Sequence, residues 1–251
     1  MIRILIGRPI MKLDRFLAKH SSMGRSAAHL LIAGGHVQVN GVVVLEGSHA
    51  VDRFSRIELK GELLQRPERA LYLMLHKPVG FLSATSDEQH PTVIDLIDDP
   101  DKDTLHIAGR LDRSTSGLVL LTNDGRWSKR LMDPDAKVPK VYRVETLDPI
   151  VPEAVEAFAR GFYFHTEEIN TLPAKLEILG ERQARLTLHE GRYHQVKRMF
   201  HRVNNRVTSL HRESVGAIKL PDDLLSGQWR PLTEMELRLS VTPSDECGCR
   251  D

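Results

Sequence analysis

Cysteine is scarce in this chain: its 251 residues include two, Cys247 and Cys249. With one residue between them they are poorly placed for a structural disulfide, so no disulfide framework is expected to hold the fold. No run of about 18 apolar residues occurs, which argues against a membrane-spanning helix. Residues 1–10 (MIRILIGRPI) lack the long apolar stretch and the small-residue cleavage site of a secretion signal. Met11 reads as an alternative start, because the ordered pattern begins just after it. A cytoplasmic location is the default expectation. The phosphate-cradling loops G-x-x-x-x-G-K-[ST] and G-x-G-x-x-G are missing, which argues against a nucleotide-driven or NAD enzyme. No G-x-S-x-G elbow is present. His189 and His194 lie five apart, a spacing that would put them on different faces of a helix, so a zinc site there is not expected.

A large excess of one charge is also lacking, since the formal net charge is +1. The distribution says more. Residues 1–60 hold nine Lys/Arg against four Asp/Glu, and residues 191–212 hold six Lys/Arg and no acid. Residues 86–103 balance them with seven acids and one lysine. Two basic clusters in a nearly neutral chain suit contact with a polyanion at particular faces.

Hydrophobic residues make up 41% of the chain, enough for one or two cores. Residues 12–33 read as two short helices, with Leu13, Phe16 and Leu17 on one stripe and Ala27, Leu30 and Leu31 on the other. Ser26 is the expected N-cap of the second helix, and Gly34-Gly35 its end. Residues 36–41 read as a strand entering an Asn40-Gly41 turn, with residues 42–45 as the return and another strand near 56–60. Residues 11–60 are thus one small module, and the polar stretch 61–69 a linker. From residue 70 to 242, strands are expected at 71–75, 117–122, 141–147, 174–179, 184–189 and 206–210. Helices are expected at 126–132, 152–160, 194–203 and 233–239, the last opened by a Thr233/Glu236 capping box. Without regular β-α-β alternation, this is an α+β domain with a mixed, mainly antiparallel sheet. Residues 243–251 are expected to form a disordered tail.

The segment richest in chemistry runs from His106 to Gly125. Its first half places Arg110, Asp112 and Arg113 in a loop, and its second half is a strongly apolar strand. A buried strand beside a charged loop can hold a reactive group rigidly, and flanking arginines favour the charged carboxylate. Taken alone, such an Arg–Asp grouping reads more readily as an ion pair that pins a loop.

The segment resembles the catalytic motif Gly-Arg-Leu-Asp of the pseudouridine synthases of the RsuA/RluA superfamily. Other family motifs follow in order. Leu75-His-Lys-Pro-Val-Gly80 resembles the first motif, with His76 standing where asparagine is usual. Lys140-Val-Tyr-Arg-Val144 resembles the Lys-x-Tyr-x-Val strand, and Glu190-Gly-Arg-Tyr-His-Gln-Val-Lys-Arg-Met-Phe200 the third motif. Residues 207–216 resemble the closing Leu-x-Arg segment, and residues 11–60 an S4 RNA-binding domain. The likeness spans about residues 11–240.

By resemblance, Asp112 is the essential carboxylate and Tyr142 stacks on the uracil. Lys197 matches the basic partner of the carboxylate, Leu210 an apolar floor, and Arg110 the residue that fills the space of the extruded nucleotide. Lys12, Arg15, Arg25, Ser26 and His29 on the first module are expected to contact RNA. So are Arg113, Arg192, Arg198, Arg202 and Arg212 on the second domain. The reaction gains no atom, so neither cofactor nor metal is expected. The third motif looks most like the branch acting on small-subunit (16S) ribosomal RNA, with uridine 516 the expected target. The expected partner is that RNA or a small-subunit assembly intermediate, met by a monomer. The alternatives are the same chemistry on 23S RNA and a non-catalytic RNA-binding or ribosome-assembly factor.

Overall fold

The structure, a computed structural model, describes residues 11–241. The expectations for residues 1–10 and 243–251, including the two cysteines, lie outside the described residues. The chain divides into two compact units between Ala70 and Leu71.

The first unit runs β1 (Met11–Lys12), α1 (Leu13–His20), α2 (Arg25–Ala33), β2 (Val37–Val39), β3 (Val42–Val43), β4 (Ala50–Val51), β5 (Ile57–Leu59) and β6 (Glu62–Gln65). Strands β1 and β4 pair with each other, and the others form a sheet in the order β3-β2-β5-β6. Leu13, Phe16 and Leu17 of α1 are buried on one stripe, as their spacing predicts. Helix α2 is rotated from the expected face. It buries Ala28 and Ile32, while Leu30 is 75% exposed. It starts at Arg25 with Gly24 as its N-cap, so Ser26 is already inside the helix and does not cap it. Asn40 and Gly41 both take positive φ, as a two-residue hairpin turn requires. Lys60 and Gly61 repeat that geometry, with φ of 51° and 84°. This second tight turn folds Glu62–Gln65 back onto β5, so part of the stretch read as a linker is the sheet's edge strand.

The second unit begins with β7 (Tyr72–Lys77), β8 (His106–Ala108), β9 (Ser116–Thr122), α3 (Gly125–Met132), β10 (Lys140–Thr146) and α4 (Glu153–Arg160). It continues through β11 (Tyr163–Phe164), β12 (Ile169–Asn170), β13 (Lys175–Gly180), β14 (Gln183–Leu188), α5 (Gln195–Arg202) and β15 (Val207–Val215). It closes with β16 (Ile218–Lys219), β17 (Trp229–Pro231) and α6 (Glu234–Val241). A nine-stranded sheet follows the path β13-β14-β10-β15-β9-β7-β17, with β8 on β9 and β16 on β15. Its pairs are antiparallel except β9 with β15. The fold is therefore α+β with a mixed, mainly antiparallel sheet.

The central strand β9 is buried from Gly117 to Thr122. Val119 and Leu121 enter one core with Phe158 of α4 and Phe200 of α5. Leu118 and Leu120 enter another with Trp127 and Leu131 of α3. A strand covered on both faces reads as a continuous apolar run, which is why its sequence shows no alternation. The capping box at α6 is present: the Glu236 N–H donates to Thr233 Oγ1 at 3.2 Å, and the Thr233 N–H to Glu236 Oε2 at 2.7 Å.

Candidate active site

The loop between β8 and β9 carries Asp112, and its backbone is held almost residue by residue. Arg212 of β15 reaches under it, donating from Nη2 to the Gly109 carbonyl at 2.8 Å and from Nη1 to that of Arg110 at 3.4 Å. Its Nε binds the Leu118 carbonyl at 2.8 Å. Ser83 Oγ donates to the Leu111 carbonyl at 2.8 Å and lies 3.0 Å from the Leu111 nitrogen. The Thr115 N–H closes a turn onto the Asp112 carbonyl at 3.0 Å. Lys77, at the end of β7, donates from Nζ to the carbonyls of Thr115 at 2.7 Å, Pro78 at 3.0 Å and Arg113 at 3.4 Å. The loop carbonyls from Gly109 to Arg113 and that of Thr115 are therefore all satisfied, four of them by the strand residues Arg212 and Lys77.

Two of these anchors are cations with almost no exposure. Lys77 is 0% exposed and Arg212 1%. Burial pushes the Lys77 ammonium down to about 8; Asp112 opposes that shift and Arg212 adds to it. Arg212 departs from its expected role. Its strand position points it into the sheet, where its guanidinium serves backbone carbonyls, so it is not a surface for phosphate.

A cleft of about 790 Å³ opens above this loop. Asp112, Arg110, Tyr142, Lys197 and Leu210 all line it, brought there from the loop, β10, α5 and β15. Tyr142 and Leu210 are buried, on the paired strands β10 and β15. Val144 lies opposite Leu210 and shares the face of Tyr142. Tyr142 and Leu210 give the cleft an apolar wall, with Val144 packed behind it in the core. Arg110, Arg113 and Arg192 are exposed at its edge. Lys140 also lines the cleft; burial, then Arg212, lowers its pKa.

Lys197 donates to Ser114 Oγ at 2.7 Å, two residues along the loop from Asp112. Asp112 itself contacts His194, at 3.5 Å from Nε2 to Oδ2. His194 takes a left-handed backbone (φ 49°) as the residue just before α5, which aims its ring at the loop. Sequence reasoning gave no role to Lys77, Ser83 or His194. Lys77 did leave a signal, a lysine ending an otherwise apolar strand; Ser83 left none.

The other basic candidates are spread out. Arg198 binds Glu167 with two 2.6 Å hydrogen bonds and lies 3.7 Å from the Phe164 ring centre. Arg202 donates to the Tyr163 carbonyl at 3.2 Å. Both line a second groove, across α5 from Asp112, that His194 and Lys197 also border. On the first unit Lys12, Arg15, Arg25, Ser26 and His29 are exposed. Buried Asp14 holds Arg25 at 3.0 Å and contacts His29 at 3.4 Å; the Arg25 hydrogen bond lowers its pKa against the opposing effect of burial.

An aspartate on a braced loop, facing a buried tyrosine and an arginine-rimmed cleft, defines a carboxylate-centred site able to enclose a polyanion's extruded base. Residues 71–202 match the RNA pseudouridylate synthase family, and the chain belongs to that family; it is an RNA-modifying isomerase. Its relatives narrow the comparison. It is 56% identical over 227 residues to Ribosomal small subunit pseudouridine synthase A of Pseudomonas aeruginosa, covering 90% of this chain and 99% of that one. With the protein of the same name from Escherichia coli K12 it shares 43% identity, over 90% of this chain and 98% of the relative. A crystal structure of a pseudouridylate synthase superposes with a TM-score of 0.68 at 41% identity, covering 92% of this chain and all (100%) of that one.

Proposed function

We propose that this chain converts one uridine of small-subunit ribosomal RNA to pseudouridine, with Asp112 as the carboxylate at the sugar–base junction. The observation that carries the reading is the convergence of Asp112, Tyr142, Leu210, Arg110 and Lys197 on one cleft. In the reaction the bond from C1′ to N1 breaks and one from C1′ to C5 forms. The proton at C5 leaves and N1 gains one, so the atoms balance without a co-reactant. Asp112 acts on the ribose, a task for which carboxylates suit glycosyl transfer. Tyr142 stacks on the uracil beside the apolar floor of Leu210, within reach of C5. Arg110 fills the space left when the nucleotide leaves its helix, a step that costs a few kcal/mol. Lys197 keeps positive charge beside the Asp112 loop.

The first unit, which takes in residues 11–60 and the edge strand Glu62–Gln65, serves as the S4-like RNA-binding module, and the second unit, from Leu71, as the catalytic domain. The small-subunit target is supported by the relatives' names and by their coverage of 98–99% of their own length. Uridine 516 of 16S RNA is the expected nucleotide. Carbodiimide labelling with primer extension on unmodified small-subunit RNA, or on a partly assembled subunit, tests the reading. Wild type gives one new stop, and Asp112→Asn binds the same RNA but gives none. Full activity in that variant would remove Asp112 from the chemistry. Binding without modification by wild type would favour an RNA-binding factor instead.

A further inference from the structure

Tyr193 is a large aromatic side chain left 74% exposed at the rim of a cleft whose other aromatic wall, Tyr142, is buried. Such exposure on a loose loop would carry little meaning, but this side chain is held. Its ring stacks on that of His194, with centroids 3.9 Å apart and planes 18° apart. His194 in turn contacts Asp112 at 3.5 Å. The surrounding turn is braced from below. Buried Gln195 accepts the Arg192 N–H on Oε1 at 3.0 Å and donates from Nε2 to Glu190 at 2.6 Å. The Tyr193 carbonyl accepts from Arg198 at 3.3 Å. One face of the tyrosine is thus occupied by an imidazole, and the ring stands outward from a fixed turn.

Arg110, Arg113 and Arg192 line the same cleft. A pre-ordered aromatic face among cations is the arrangement that binds an unpaired nucleobase, because every base offers a π-face while the cations take its phosphates. The target uracil has its own place on the Tyr142 and Leu210 wall.

We propose that Tyr193, stacked on His194, is a platform for a second nucleobase, one immediately beside the isomerised uridine, which the enzyme holds unstacked while the target occupies the cleft. The assignment rests on the pseudouridine synthase reading above and adds a specificity-determining contact to it. Stacking on Tyr193 favours substrates in which the flanking nucleotide is also unpaired. It places the chain Asp112, His194, Tyr193, base in one continuous stack of contacts, so the neighbouring base fixes the register of the target over the carboxylate.

The test uses the full chain and small-subunit RNA fragments containing the mapped uridine, with 2-aminopurine replacing the nucleotide on its 5′ or its 3′ side. With one of the two fragments, wild type and Tyr193→Phe should alter the 2-aminopurine fluorescence on binding in a way that Tyr193→Ala does not. Tyr193→Ala should bind about tenfold more weakly, within the range expected for removing one base–aromatic stack. Its single-turnover rate at saturating enzyme should also fall several-fold, because the target loses its register over Asp112, and Tyr193→Phe should restore both affinity and rate. Its thermal midpoint should match wild type, since an exposed ring contributes little to folding. If wild type converts the uridine and Tyr193→Ala matches it in affinity and fluorescence with both fragments, the platform is wrong and the enzyme assignment stands. If wild type converts no uridine, both fall together.

Discussion

Lys77 sits fully buried with three backbone carbonyls around its ammonium, two of them in the loop that carries Asp112. It is a positioning residue, touching the loop and not the substrate. A misplacement of the order of an ångström costs reaction rate heavily when the reacting groups must be aligned. Lys77→Met keeps the volume and removes the donors, so turnover should fall at least about tenfold while RNA affinity stays within about threefold. Stability should carry a signature as well. The group titrates near 8 when folded against 10.5 ordinarily, so between those values the unfolded chain holds the proton that the folded chain has released. Stability from Lys77 therefore rises with pH across that window, by at most about 1.4 kcal/mol per pH unit, and is level below about 8. Denaturant titrations of wild type and Lys77→Met at pH 7, 8.5 and 10 measure it; a wild-type advantage that shrinks on going alkaline would contradict the assignment. The sequence exposed Asp112 and Tyr142 because they stand inside long motifs. It hid the roles of Lys77 and Ser83, because a hydrogen bond to a carbonyl 28 or 38 residues away leaves no local pattern.

At the scale of elements, the parallel pair β9–β15 is where the active-site loop meets the sheet. Gly117 faces Arg212 across it, with φ 108° and room for nothing more: a β-carbon there would lie 2.3 Å from the Arg212 carbonyl oxygen. Gly117→Ala should therefore force the two strands apart, costing about 3 kcal/mol and lowering the melting midpoint by about 6–12 °C. Gly125→Ala, which meets no atom within 4 Å at the start of α3, should stay within about 1 kcal/mol of wild type. Differential scanning calorimetry of the two variants separates crowding from a general glycine effect. Elements with a continuous apolar run, such as β9, or a clear one-sided pattern, such as β10 and α5, could be read from the chain. The face of α2 could not, because Ala27, Ala28, Leu30, Leu31 and Ile32 offer two overlapping stripes and only packing against α1 chooses between them. The strand Glu62–Gln65 was hidden because its turn uses Lys60, a residue rarely seen at positive φ, ahead of Gly61.

For the whole molecule, a net charge of +1 gives almost no general attraction to RNA, so binding must come from where the charges face. Solvent-facing and inward-facing arginines should then separate cleanly in a salt titration. Arg15 and Arg25 on the first unit, and Arg110 on the second, are exposed, while Arg212 is committed to carbonyls inside the sheet. Counterion release predicts that removing one cation from a phosphate reduces the slope of log affinity against log salt by about 0.7–0.9. Arg15→Ala and Arg110→Ala should each reduce it by about that amount with unchanged melting midpoints, whereas Arg25→Ala should also lower the midpoint, because it leaves buried Asp14 without its guanidinium partner. Arg212→Met should do the reverse of Arg15→Ala and Arg110→Ala. Its removal leaves the Gly109 and Leu118 carbonyls without their donor, so stability falls by about 1–3 kcal/mol or more. The slope of the remaining folded protein should stay that of wild type. Filter binding over a series of potassium chloride concentrations from roughly 50 to 300 mM, beside thermal melts of the same preparations, distinguishes the two classes. A slope change for Arg212→Met as large as that for Arg110→Ala would mean that its guanidinium reaches phosphate after all, and that the sheet opens to admit RNA.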